Sequence, residues 1–142
     1  MANFNPYLNF NGNTEEAFNF YKSVFGGEFA MLMRFKDVPG NKNLPAGVQD
    51  KIMHIALPVG NGNMLMATDS LESMGQKLVA GNNHYFMLGA ESKEEADHLF
   101  AKLSVNGKIE MPLQDTFWGA YYGSFTDQFG IQWMIDYEYP KE

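Results

Sequence analysis

The order of helix and strand signals in this chain repeats, and that repeat limits the fold more than any other feature of the sequence. An amphipathic segment beginning at Thr14 places apolar residues at helical spacing and stops at Gly26-Gly27. A second segment begins with the capping box Ser92–Glu95 and stops at Asn106-Gly107. One predicted strand precedes each helix and three follow it. The chain therefore has the order βαβββ twice, in pattern and spacing rather than in identical letters.

Alternating residue character and turn signals set the limits of the predicted strands. They are Pro6–Phe10, Glu28–Phe35, Lys51–Val59 and Met64–Thr68 in the first half, and His84–Leu88, Lys108–Pro112 and the two strands of a hairpin around Asp127 and Gly130 in the second. The first strand of that hairpin is rich in aromatic residues and is predicted to include Phe117 and Trp118. The segment Lys36–Asp50 contains two prolines and two glycines and is predicted to be a long loop.

These elements predict an α+β fold built from two βαβββ modules within a single domain, residues 1–142. The first module covers residues 1–69, a connector covers residues 70–83, and the second module covers residues 84–142. We expect each helix to cover one face of its own half-barrel sheet. The other sheet faces would then line a central cleft, which is where a concave and partly polar surface favours a small ligand.

The final hairpin shows how different the two faces of one sheet are expected to be. In its second strand Ile131, Trp133 and Ile135 fall on one face, whereas Gln132, Met134 and Asp136 fall on the other. The first face suits a dry interior. The second face suits contact with water or a ligand, so Gln132 and Met134 are predicted ligand-binding residues.

Composition excludes several classes of function. The chain has 142 residues, a formal net charge of −7 and no basic cluster, so nucleic acid and anionic membranes are not expected partners. It has no cysteine, which excludes disulfides and thiolate-ligated metals. The first residues lack the basic and apolar regions of a signal peptide, and we expect a cytoplasmic protein.

Several segments resemble the vicinal oxygen chelate superfamily (glyoxalase I, bleomycin-resistance proteins and extradiol dioxygenases), and its PhnB-like branch most closely. The segments that carry this resemblance are Pro6-Tyr7-Leu8, Phe25-Gly26-Gly27-Glu28, Asn106-Gly107-Lys108, Asp115-Thr116-Phe117-Trp118-Gly119 and Thr126-Asp127-Gln128-Phe129-Gly130 with Trp133. The resemblance implies paired βαβββ modules and commonly a homodimer. It leaves the reaction open, because this superfamily includes lyases, isomerases, dioxygenases and non-catalytic sequestering proteins.

The resemblance also implies where a divalent metal would bind. Enzymes of the superfamily hold one metal on the first and last strand of each module, and those positions fall here at Asn5 or Tyr7, at Met66, at His84 and at Met134. Only His84 is an ordinary ligand for a hard divalent ion, since Zn²⁺, Mn²⁺ and Fe²⁺ prefer imidazole and carboxylate over thioether. We therefore predict that the full metal site is missing, with His84 as a tentative ligand if a divalent metal binds.

The remaining candidates come from residue chemistry and predicted position. His84 and Glu110 are candidate catalytic groups, His84 because a histidine can act as a base near neutral pH. His98 is expected on the solvent side of the second helix. The candidate ligand-binding residues are Tyr7, His54, Asp69, Phe117, Trp118, Gln132 and Met134. For each there is a structural alternative: a buried hydrogen bond for His54, a turn cap for Asp69, and core or dimer packing for the aromatic residues.

Three functional hypotheses follow. The first is a PhnB-like protein that binds a small organic ligand in the cleft between the modules, without the full metal site. The second is a lyase, isomerase or dioxygenase with rearranged metal ligands, drawn from His84, His54, Glu110 and Asp69. The third is a dimer that sequesters an antibiotic. A measured metal content would contradict the first hypothesis. The second requires that those ligands lie within coordination distance of one another, and the third requires tight binding of an aromatic compound without turnover.

Overall fold

The computed structural model describes residues 2–40 and 43–141. The chain forms two compact units, Met1–Val79 and Ala80–Glu142. Each unit contains one four-stranded sheet and one long helix. No helix within the described part of the chain is both long and apolar enough to cross a membrane.

The first unit has four strands, one long helix and three short helical turns. Its strands are β1 Tyr7–Phe10, β2 Met31–Arg34, β3 Ile52–Gly60 and β4 Asn63–Asp69. Its helices are α1 Thr14–Phe25 and the four-residue α2 Ala46–Gln49, with 3₁₀ turns at Phe35–Asp37 and Glu72–Met74.

The second unit repeats the arrangement with fewer irregular segments. Its strands are β5 Phe86–Gly89, β6 Lys108–Asp115, β7 Ala120–Thr126 and β8 Gln132–Glu138, and its helix is α3 Lys93–Leu103.

The two sheets have the same strand order. The first is ordered β1-β4-β3-β2 and the second β5-β8-β7-β6. In each sheet the first and last strands of the module are parallel, and the other neighbours are antiparallel. This repeat confirms the predicted α+β fold with two βαβββ modules.

Helix α1 covers one face of the first sheet because its apolar residues recur at helical spacing. Phe18 and Tyr21 are fully buried, and the ring of Phe18 packs edge-on against Phe10 of β1 with centroids 6.3 Å apart. The helix ends at Gly26, whose φ of 79° suits glycine and whose N–H donates to the Lys22 carbonyl.

Helix α3 covers the second sheet in the same way. At its start the Ser92 hydroxyl accepts the Glu95 N–H at 3.0 Å, as the capping box predicted. Phe100 packs edge-on against Phe125 of β7 with centroids 5.0 Å apart. Gly123 allows this close approach, because a Cβ there would lie 2.8 Å from the Phe100 ring.

Three predicted boundaries are wrong in ways that affect the site. Strand β5 begins at Phe86, so His84 lies before the strand and not in it. Strand β6 continues to Asp115, past the predicted end at Pro112. Phe117 and Trp118 therefore lie in the hairpin turn between β6 and β7, and not in an aromatic strand. The pairing of Asp115 with Tyr121 extends the ladder beyond the proline, which a proline on an edge strand permits.

In the first module, β2 begins at Met31, three residues later than predicted. The predicted loop Lys36–Asp50 contains the short helix α2. Asn41 and Lys42, which belong to that loop prediction, lie outside the described residues.

Candidate functional site

Each sheet has one face covered by its long helix and one face without a helix, which we call the open face. Strand pairing places four residues in a row across the open face of the first sheet. Tyr7 pairs with Met66, Met66 with Ala56, and Ala56 with Met31. Residues paired across strands point to the same side of a sheet, so these four side chains are neighbours.

The small residue in this row has a methionine on either side. Ala56 is 5% exposed, whereas Met31 is 46% exposed. The centre of the row is therefore an apolar methyl group with a long thioether side chain on each side. Methionine side chains are flexible and polarisable, so such a surface can adapt to ligands of different shape.

The open face of the first sheet also carries one polar pair. The Tyr7 hydroxyl and His54 Nδ1 lie 3.2 Å apart, and the two rings are stacked with centroids 5.7 Å apart. Burial raises the pKa of the Tyr7 phenol above its ordinary value. Met33 pairs with His54 across the strands, so the imidazole lies between a phenol and a thioether.

The second sheet repeats the row with different residues. Met87 pairs with Met134, Met134 with Ser124, and Ser124 with Met111. Ser124 is 7% exposed and holds the place that Ala56 holds in the first sheet. The order methionine, small residue, methionine thus occurs on both open faces at corresponding strand positions.

At one end of the second open face, a carboxylate is held by hydroxyl groups. Glu110 accepts hydrogen bonds from the Tyr85 hydroxyl at 2.5 Å and from the Thr126 hydroxyl at 2.9 Å. The bond to Glu110 is the main cause of a raised pKa of the Tyr85 phenol. Beside them the Gln132 amide donates to the His84 carbonyl at 2.5 Å.

At the other end lies a second carboxylate. Asp136 pairs with Gly89 on one side and with Tyr122 on the other. Burial, and then the neighbouring charge of Glu138, raises the pKa of the Asp136 carboxyl. The exposed ring of Trp118 extends from the hairpin turn to within 6.1 Å of the Tyr122 ring, centroid to centroid.

The predicted site residues thus separate into three groups. Tyr7, His54, Gln132 and Met134 lie on open faces, as the alternation of the last strand predicted for Gln132 and Met134. Trp118 contacts that surface from a turn. Phe117, next to it, is 97% exposed and contacts only Trp118 among the described aromatic rings.

Two predicted residues have other surroundings. Asp69 is 2% exposed, and its carboxylate accepts the Thr14 N–H at 3.0 Å, the Thr14 hydroxyl at 2.6 Å and the Ile52 N–H at 2.8 Å. It therefore joins the end of β4 to the starts of α1 and β3. His84 is exposed, and its ring contacts Asn83 and Phe86 rather than the row that contains Met134.

The residues at the expected metal positions do not fit a hard divalent ion. The positions on β1, β4 and β8 hold Tyr7, Met66 and Met134, which supply one phenol and two thioethers, and His84 lies before β5 and does not pair with Met134. Such ions require imidazole or carboxylate ligands. Among residues 2–40 and 43–141, no three histidine, aspartate or glutamate side chains are grouped as a metal site would require.

The sequence pattern did not single out Ala56, Ser124 or Tyr85. The first two became visible only when strand register showed which residues lie between the methionines. Counting back by twos from Met87 would have placed Tyr85, rather than His84, on the open face, because side chains alternate along a strand.

Comparison with known proteins agrees with this architecture. The family model described as Glyoxalase/Bleomycin resistance protein/Dioxygenase superfamily matches residues 3–135. Protein YjdN of Escherichia coli strain K12 is 34% identical over 139 residues, with 92% of each chain covered.

Two solved structures extend the comparison. Protein PA1353 from Pseudomonas aeruginosa has 40% sequence identity and a TM-score of 0.84, covering 97% of this chain and 98% of its own. The PhnB protein from Bacillus cereus has 26% identity and a TM-score of 0.72, covering 96% and 99%. The predicted resemblance is thereby confirmed.

Proposed function

Because the chain belongs to the glyoxalase/bleomycin resistance protein/dioxygenase superfamily, we propose that it is a PhnB-like protein whose open sheet faces bind a small organic ligand without a hard divalent metal. The single observation that carries this proposal is the row of methionine, small residue and methionine on both open faces. It includes Met66 and Met134, which lie at two of the strand positions where metal-binding relatives are expected to present metal ligands.

The row favours an apolar ligand surface for a physical reason. Thioethers give up little hydration when they are covered, and each buried Å² of apolar surface contributes about 25 cal/mol to binding before ordering costs. The polar pairs beside the row, Tyr7 with His54 and Tyr85 with Glu110, are fixed by hydrogen bonds. They supply a few oriented donors and acceptors, as small-molecule sites usually do.

The same contacts argue against an enzyme with rearranged metal ligands. Glu110 is bonded to two hydroxyl groups, and Asp69 is buried against backbone and hydroxyl donors. His84 stands outside the strand that would have brought it to Met134. A metal analysis of protein purified without chelator is the direct test. One equivalent of Mn, Fe, Ni or Zn per chain would contradict the metal-free proposal.

Ligand binding is tested by enlarging the small residue of one row. Ala56→Leu places a larger side chain between Met31 and Met66. It should lower the affinity of the first open face for aromatic fragments by about tenfold. Ala101→Leu, the same enlargement at an exposed position of α3, is the matched control and should bind as the parent does.

The measurement is a titration of the ¹⁵N-labelled full chain with neutral, cationic and anionic aromatic fragments. Shifts that cluster on β3 and β4, and that disappear in Ala56→Leu alone, support the proposal. If no fragment of any charge shifts the open-face residues at millimolar concentration, the proposal is wrong.

The superfamily often forms dimers, and we expect a homodimer here as well. Light scattering of the full chain across a concentration series gives the mass directly. A mass of one chain at every concentration would contradict that expectation.

A further inference from the structure

One end of the second open face combines a carboxylate with aromatic rings. Asp136 on β8 pairs with Tyr122 on β7, which pairs in turn with Gln114 on β6. The ring of Trp118 meets that of Tyr122 edge-on, at 63° and 6.1 Å between centroids. These groups come from three strands and the hairpin turn of one compact unit.

The Asp136 carboxylate has no cation beside it. Within residues 2–40 and 43–141 it makes no hydrogen bond or ion pair, and the charged group that acts on it most is the like charge of Glu138. Lys108, the basic residue of β6, pairs with Thr126 at the opposite end of the sheet. A half-buried carboxylate without a partner costs free energy, so a positive ligand would gain from meeting it.

There is also space beside this carboxylate. Gly89, its partner on β5, has no side chain, and a Cβ built there would meet no atom within 4 Å. The backbone at Gly89 does not have the positive φ that would require glycine. The position is therefore open on the side of Asp136 that faces away from Tyr122.

We propose that Asp136, Tyr122 and Trp118 bind the positively charged nitrogen of a small organic ammonium ligand, with the apolar part of that ligand lying along Met134 and Met87. The proposal rests on the proposed function, since it names the chemical class of ligand for the same open face. Aromatic ring faces are electron-rich and attract such cations, and tryptophan does so most strongly. A carboxylate beside the rings adds the opposite charge.

The same geometry disfavours the other charge classes. An anionic ligand would be repelled by Asp136 and Glu138, and no lysine or arginine of residues 2–40 and 43–141 is among the groups that act on the Asp136 carboxyl. A hard metal ion would find only the carboxylates of Asp136 and Glu138 here, because no three histidine, aspartate or glutamate side chains are grouped within residues 2–40 and 43–141. An organic ammonium ion needs neither a basic cluster nor several oxygen ligands.

The experiment uses two matched pairs of probes with the ¹⁵N-labelled full chain. Choline is compared with its neutral isostere 3,3-dimethylbutan-1-ol, and benzyltrimethylammonium with benzylphosphonate. In each pair the cation should bind about tenfold more tightly. The backbone signals of Gly89, Tyr122 and Asp136, together with the Trp118 indole signal, should shift.

Two variants assign the preference to these residues. Asp136→Asn keeps the shape of the side chain. It should lower the affinity for both cations about tenfold and leave the affinity for the neutral alcohol unchanged. Trp118→Ala removes an exposed ring in a turn and should weaken the cations without unfolding the sheet. Glu94→Gln, on the exposed side of α3, removes the same charge elsewhere and should bind as the parent does.

Several outcomes would overturn the inference. If the neutral alcohol or benzylphosphonate binds more tightly than its cationic partner, the ligand is not a cation and this inference is wrong. Ligand binding by the open face would still be supported. Equal loss in Asp136→Asn and Glu94→Gln would show a general charge effect and not a site. If none of the four probes binds, and the neutral and anionic fragments also fail, the inference falls together with the proposed function.

Discussion

Replacing Asp69 tests whether this residue holds the first module together or serves a ligand. Its carboxylate accepts three hydrogen bonds from groups at the starts of α1 and β3, and the side chain is 2% exposed. Asp69→Ala removes all three acceptors at once. The Thr14 N–H and hydroxyl and the Ile52 N–H would then lie in the interior without a partner.

The loss of stability can be estimated from the number of buried donors that Asp69→Ala leaves without an acceptor. A buried donor left unsatisfied costs about 1–3 kcal/mol, and bonds to an ionised acceptor are at the upper part of that range. Because water can enter and the terms are not additive, we expect Asp69→Ala to cost about 3–5 kcal/mol. Asp69→Asn keeps one oxygen for Thr14 but places an N–H₂ group against the Ile52 N–H, and should cost about 1–3 kcal/mol.

Urea unfolding of the full chain, followed by far-UV circular dichroism, measures these changes. Asp97→Ala is the matched control, since Asp97 is exposed and accepts one bond from the Tyr121 hydroxyl. We expect that control to stay within about 1 kcal/mol of the parent. If Asp69→Ala is as mild as the control, or if it removes ligand binding with unfolding unchanged, the structural assignment of Asp69 is wrong.

Three further predictions test other parts of the second module. The bond to Asp97 raises the pKa of Tyr121 to about 12, so Asp97→Asn should bring one tyrosine back towards 10 in an ultraviolet titration. The pKa of Asp136 is raised above its ordinary 3.8 in the folded chain, so its ionisation lowers stability as pH rises through the folded value. Asp136→Asn should therefore be the more stable protein at pH 7, and the difference should vanish below about pH 3.8. Gly123→Ala would place a Cβ 2.8–2.9 Å from a ring and backbone atoms and should cost about 1–3 kcal/mol, whereas Gly89→Ala, with open space, should cost under about 1 kcal/mol in the same urea assay.

The fold was predictable because its signals are local. The helical spacing of Phe18 and Tyr21, the glycines after α1, and the capping box at Ser92 each act within a few residues. They were enough to give the order βαβββ twice. The repetition supported this prediction, because each half of the chain gives the same order of elements independently of the other.

The boundaries of the strands near the site were less predictable. His84 stands two residues before Phe86 and was predicted to begin β5, yet pairing with β8 begins at Phe86. Pro112 looked like the end of β6, but this strand lies at the sheet edge and continues past the proline. In both cases pairing with the neighbouring strand set the boundary of the strand. That pairing leaves no signal in the local sequence.

The sequence by itself determined the two modules, the buried side of each helix and the alternation that places Met134 and Trp133 on opposite faces of their sheet. These depend on periods of 3.6 and 2 residues, which are properties of a single segment. Only the tertiary structure decided that Asp69 is a buried cap, that Ala56 and Ser124 lie between methionines, and that Asp136 lies beside Tyr122. Each of those facts depends on register between segments far apart in the chain, and register is fixed by the packing of the whole sheet.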